Sequence, residues 1–159
     1  MITLQFSRGT DISSDLIAWY EHGGWSHVDT VLPDGLLGAR SDAIGGKPAG
    51  VQVRPKDYLG DEKTLVVELP CSSEMAGKYE DFLRAQIGKP YDVEGIAGFI
   101  SGRNWSDPAA WFCSELVAAG LEACGYFEYP LAVTTHKITP ADLLLILSTR
   151  VNLTRPQEG

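Results

Sequence analysis

Cysteine is scarce in this chain, and so are basic residues and long apolar runs. Only Cys71, Cys113 and Cys124 occur among its 159 residues. Their number is odd and no CxxC spacing joins them, which argues against a disulfide framework. It argues equally against a structural zinc site, which needs about four clustered ligands. The longest apolar run, residues 143–147, is far short of the ~20 residues a membrane span requires. The opening stretch MITLQFSRGTDISSD has no apolar signal core. Lysine and arginine total 13 against 21 acidic residues, for a formal net charge of -8. Attraction to a phosphate backbone or an anionic membrane needs a basic face, so this balance argues against nucleic-acid or membrane binding as a main role. The expectation is a soluble protein made in a reducing cytoplasm, without cofactor or metal. Work at the cell envelope would need delivery by a route other than a signal peptide.

What is present is a globular balance of 44% hydrophobic and 21% charged residues. The length suits one domain, residues 1–159, with a core of its own. Residues 2–6 alternate weakly and read as a strand. Ser13 or Ser14 caps a helix through Leu16, Ile17 and Trp19, ended by Gly23-Gly24. Residues 27–32, HVDTVL, are β-rich and stop at Pro33-Asp34-Gly35, after which residues 36–40 resume. A strand, a DG turn and a strand predict a hairpin. Residues 42–50 form a glycine-rich loop, and residues 51–54 and 64–69 are further strands.

From Ser72 the period becomes helical, with Met75, Tyr79, Phe82, Leu83 and Ile87 on one face until Gly88-Lys-Pro90. Residues 92–100 suggest a short, glycine-interrupted helix. Residues 113–124 form a clearer one, in which Leu116, Val117, Leu121 and Cys124 make an apolar stripe and Glu115 and Glu122 share the wet side. Its small residues, Ala118, Ala119, Gly120 and Ala123, suit close packing against a sheet, and Gly125 stops it. Thr139, Pro140 and Asp142 cap a last helix through Leu147. Strands on one side and helices on the other predict an α+β domain, a small antiparallel sheet against a helix that carries a nucleophile.

Two residues carry the chemical argument. A cysteine hydrolase needs a thiolate, a base within reach and donors for an oxyanion. The free N–H groups of a helix N-terminus favour an anion there, and Cys113, in WFCSEL, lies at or near a helix start. His27 opens a strand directly after a Gly-Gly turn and Trp25-Ser26, where an imidazole can reach a neighbouring helix end. Asp107-Pro108 is a competing cap that would put Cys113 in a second helical turn. A separate turn over residues 108–111 would leave Cys113 at the start.

These segments resemble a family. Residues 26–37, SHVDTVLPDGLL, are similar to the SHV–strand–DG–strand segment of YiiX-like proteins, the permuted branch of NlpC-like cysteine peptidases. Residues 112–117, FCSELV, resemble that group's YCSELV nucleophile helix, and residues 88–92, GKPYD, its G-x-x-Y-D segment. They occur in the permuted order, histidine before cysteine, over residues 25–125. The resemblance implies a papain-like fold, hydrolysis of amide or related acyl bonds, and peptidoglycan stem peptide as the commonest substrate class. It implies Cys113 as nucleophile and His27 as base, with Tyr91 and Trp25 lining the substrate site.

One departure stands out. Relatives place a polar residue after the DG turn to orient the histidine, whereas this chain has Gly38 and Ala39 near that place. Three residues are candidates for the role. Asp29 shares a strand face with His27, although side chains two apart start roughly 6.5–7 Å from each other. Asp42 would face His27 if Asp34-Gly35 formed a two-residue turn, and Gln52 is the third. Asp29 is preferred, because a charge on a site-facing strand position calls for a partner. Two other functions compete with hydrolysis. One is acyl transfer of the lecithin:retinol acyltransferase type, whose NCEHF-like motif and membrane anchor this chain lacks. The other is a binding module that has lost the third polar residue.

Overall fold

The structure is a computed structural model and describes residues 1–8, 24–92, 109–151 and 153. The expected helix around residues 16–20, most of the one at 92–100 and the Asp107-Pro108 cap lie outside the described residues. The described chain is a small α+β domain. Strands β1 (Ile2–Arg8), β2 (His27–Leu32), β3 (Gly35–Arg40), β4 (Gly50–Arg54) and β5 (Lys63–Leu69) form one antiparallel sheet in the order β4-β3-β2-β1-β5. Helices α1 (Ser73–Arg84), α2 (Cys113–Ala123) and α3 (Pro140–Ser148) complete it. No described helix is long and apolar enough to cross a membrane.

Strand alternation builds the core. Leu4, Phe6, Val28, Leu37, Ala39, Val51 and Val67 are buried together with Leu83 of α1, Leu116, Val117 and Leu121 of α2, and Leu143 and Leu147 of α3. Each fully buried aliphatic side chain contributes about 1.5–3 kcal/mol relative to exposure. The alternate positions, Asp29, Gly38, Gln52 and Arg54, share the other face of the sheet. Thr30 is the polar exception on the core face, and its Oγ1 lies 2.7 Å from the Tyr79 hydroxyl of α1. Gly120 of α2 abuts the same ring: a Cβ there would sit 2.8 Å from Tyr79 Cε2. That glycine therefore admits a neighbouring helix, while α2 also packs on β2 and β3 of the sheet, as its small residues suggest.

Two expectations need correction. The hairpin closes on the pair Leu32 and Gly35, so Pro33-Asp34 is the turn. Gly35, with Arg54 O where a Cβ would go, belongs to the strand. The ladder is thereby shifted two residues from a turn made of Asp34-Gly35, and extending it brings Arg40, not Asp42, opposite His27. Glu115, expected in water, is buried and accepts the Phe112 N–H at 3.4 Å, closing the first turn of α2. Burial, and secondarily Asp92, raise its pKa from 4.5 to about 7.

Candidate active site

Cys113 is the first residue of α2, after an extended Phe112, and residues 109–112 are not helical. Its N–H and those of the next two residues therefore have no intrahelical acceptor. Residues 88–92 and 111, between α1 and α2, anchor this helix start. Val51 N donates to Lys89 O and Gly88 N to Val51 O, each at 2.9 Å, so the 88–89 segment covers the outer edge of β4. Gly50 and Gly88, both at positive φ, permit that approach. The chain then runs parallel to Trp111, with Trp111 N on Pro90 O and Asp92 N on Trp111 O at 3.0 Å. This pairing is the structural use of the GKPYD segment, and it brings Tyr91 beside the cysteine. Burial first, then the neighbouring Cys113, raise the Tyr91 phenol.

His27 is the first residue of β2, its approach held by Ser26 N on Ser7 O at 3.1 Å. Its Nε2 lies 2.9 Å from Asp29 Oδ1 and 3.2 Å from the Tyr58 hydroxyl. Nδ1 is then the ring nitrogen outside these contacts, and the Cys113 side chain is near enough to raise the ring's proton affinity. Burial disfavours the imidazolium, but Asp29 and then Cys113 more than offset it. The ring's pKa rises from 6.5 to about 9. Asp29 is fully buried at 0% exposure. Burial alone would raise its carboxyl, yet His27 and the Tyr58 hydroxyl hold it below 3.8. The spacing along β2 is bridged directly, without water or bulge, although Oδ1 has no well-aligned hydrogen-bond donor among the described residues.

The chain matches no protein-family model and no curated protein. Cys113, His27 and Asp29 converge on one place, and Tyr91 lies beside it. The other two candidates for the orienting role do not join them. Asp42 accepts from Arg40 Nε at 2.9 Å near the surface. Gln52 stands opposite Gly38 in the β3–β4 ladder and makes no side-chain hydrogen bond among the described residues. Trp25, expected to line the substrate site, is 8% exposed and packs in the same core cluster as Cys113.

Three functional neighbours escaped sequence reasoning. Tyr58, in the turn closed by Tyr58 N on Pro55 O, donates its hydroxyl proton to Asp29 Oδ2 at 2.5 Å. Arg40 Nη1 approaches the same hydroxyl at 3.4 Å, and the Arg40 and Arg54 guanidinium carbons lie 5.4 and 5.9 Å from the ring centre. Arg54 is 1% exposed and donates to Gly38 O, Pro48 O and Gly50 O at 3.0–3.2 Å. Burial lowers its pKa, which the charge of Asp29 partly counters. A weak signal existed for the arginines, since alternation puts both on the face of Asp29. None existed for Tyr58, a turn residue 31 positions beyond His27.

Proposed function

We propose that this protein is a cysteine hydrolase that cleaves amide bonds through a thioester on Cys113. The observation that carries the reading is the imidazole of His27 held 2.9 Å from the buried carboxylate of Asp29, with Cys113, at the head of α2, near enough to raise the ring's pKa. A base with raised proton affinity takes the thiol proton through Nδ1. The sulfur then attacks the carbonyl carbon, and the free N–H groups of the first turn of α2 face the oxyanion. The imidazolium, stabilised by Asp29, gives its proton to the leaving amine. The neutral ring next activates water, which releases the acid and regenerates the thiol.

The motif order and the α+β architecture support a papain-like domain of the permuted NlpC-like kind. The resemblance points to short cell-wall peptides of the peptidoglycan stem as the substrate class. Asp29 also answers the departure at Gly38 and Ala39, because the orienting acid stands on the neighbouring strand. A binding module that had lost its orienting residue would have no use for this arrangement. Acyl transfer would share the first half of the cycle, and product analysis separates the two.

Iodoacetamide labelling at neutral pH, resolved by peptide mass, tests the reading without a known substrate. Cys113 is expected to react faster than Cys71 and Cys124 despite its burial, with the advantage lost in His27→Ala. Equal rates in the folded wild-type protein and in His27→Ala would refute the mechanism.

A further inference from the structure

We propose that Tyr58 is a positioning residue that fixes Nε2 as the protonated nitrogen of the neutral His27 ring, so that Nδ1 is the nitrogen that takes the proton of Cys113. This rests on the thiol-hydrolase reading and concerns a residue outside the cysteine–histidine–carboxylate set.

The argument is a count of protons on one oxygen. A phenol hydroxyl has one proton to give and two lone pairs. The Asp29 carboxylate can only accept, so the proton of Tyr58 lies along the 2.5 Å contact to Oδ2. Towards His27 Nε2, 3.2 Å away, the hydroxyl then presents a lone pair, and Nε2 must carry hydrogen. Arg40 Nη1, a donor in every state, takes the other side at 3.4 Å. Asp29 Oδ1 favours the same tautomer, but it has no well-aligned donor, so it sets the ring's tilt weakly. The hydroxyl ties carboxylate and ring into one unit.

The ring of Tyr58 is held from several sides. Arg40 of β3 and Arg54 of β4 flank it. A Cβ on Gly45 would come within 2.9 Å of the Tyr58 Cβ, so the loop before β4 closes on it as well. Among the described residues, the charged and titratable groups that meet His27 directly are Asp29, Tyr58 and Cys113, with Arg40, Arg54 and Tyr91 next to those. Burial and the adjacent Asp29 raise the Tyr58 phenol, which keeps the proton on its oxygen over the working range. Tyr58 touches no reacting atom and acts through the histidine.

The test is Tyr58→Phe, which removes one oxygen and keeps the ring. Nitrogen-15 spectra of the imidazoles report both the tautomer and the titration of His27. In the wild-type protein the neutral ring is expected as the Nε2–H form. In Tyr58→Phe a mixture with the Nδ1–H form is expected, with the midpoint about one unit lower and Cys113 labelling by iodoacetamide at pH 7 down roughly tenfold. In an Asp29→Asn background Tyr58→Phe should change none of these. An unchanged tautomer and midpoint in Tyr58→Phe would overturn the proposal, even if stability fell. Should that variant not fold, the wild-type protein must still show a slowly exchanging Tyr58 hydroxyl resonance with a cross-peak to the His27 ring, and its absence overturns the proposal too. Failure of Cys113 to label in the wild type would instead strike the hydrolase reading, leaving the tautomer assignment to be judged on its own spectra.

Discussion

Gly38 lies directly against the carboxylate of Asp29: a Cβ at position 38 would overlap Oδ1 and stand 3.0 Å from Cγ. The missing side chain on β3 and the acid on β2 are two halves of one arrangement. A larger residue at 38 must displace the carboxylate that holds His27. Gly38→Ala is therefore expected to reproduce much of the loss expected on removing the acid, lowering turnover and the His27 midpoint together. The check is a double-mutant cycle with Asp29→Gly, in which Gly38→Ala should cost little once the carboxylate is gone. An additive pair of effects would separate the two residues.

Substituting the nucleophile gives the plainest outcome. Cys113→Ala should abolish hydrolysis of any true substrate with the fold retained by circular dichroism. Cys71→Ala and Cys124→Ala should keep most activity, since both thiols lie away from the head of α2. Full turnover by Cys113→Ala would end the thioester mechanism.

Asp29→Asn is expected to lower turnover by a factor on the order of 10²–10⁴, the range for an acid that orients an imidazole and stabilises its charged form. Among the described residues, Asp42→Asn breaks a pair with Arg40 near the surface and Gln52→Ala removes a side chain without hydrogen bonds, so both should stay within a few-fold of wild type. Measuring the three side by side on one substrate, with their pH–rate profiles, identifies the orienting residue. A large loss confined to Asp42→Asn or Gln52→Ala would reassign it.

The pH dependence of stability follows from the same pair. His27 is raised from 6.5 to about 9, so its contribution is complete below 6.5 and is lost as pH climbs through about 9. Asp29 is lowered from 3.8, so its contribution is present above that value and is lost only on stronger acidification. Thermal unfolding should show a plateau that declines on the alkaline side, and His27→Ala should flatten that decline. The rate profile should share an alkaline limb near pH 9, where the imidazolium that protonates the leaving group disappears.

Gly120→Ala should destabilise the domain by about 1–3 kcal/mol, the usual cost of forcing a methyl group into a filled core. The Tyr79 ring cannot yield freely, because its hydroxyl is tied to Thr30. Ala123→Gly, at an exposed position of the same helix, serves as the comparison, and denaturant unfolding measures both.

Local pattern in the sequence determined most of the elements. The alternation of residues 51–54 and 64–69, the Thr139-Pro140-Asp142 cap and the β-rich run before Pro33-Asp34 are each short-range signals, and β4, β5, α3 and the hairpin follow them. Cys113 and His27 were legible because a helix start and a strand start are local features. The helix from Ser72 stops at Arg84, short of Ile87, since tight turns through Gly88 carry the chain to the edge of β4. What the tertiary structure alone decided lies across elements. The hairpin register moved by two residues because Gly35 could enter the strand against Arg54, and that shift removed Asp42 from His27. Trp25 went to the core and Glu115 to a helix cap, choices that depend on which surfaces meet. Tyr58 reached Asp29 and His27 only because the turn after β4 folds back over the sheet. Periodicity carries which face a residue takes along its own strand or helix, but not which distant turn will close over that face.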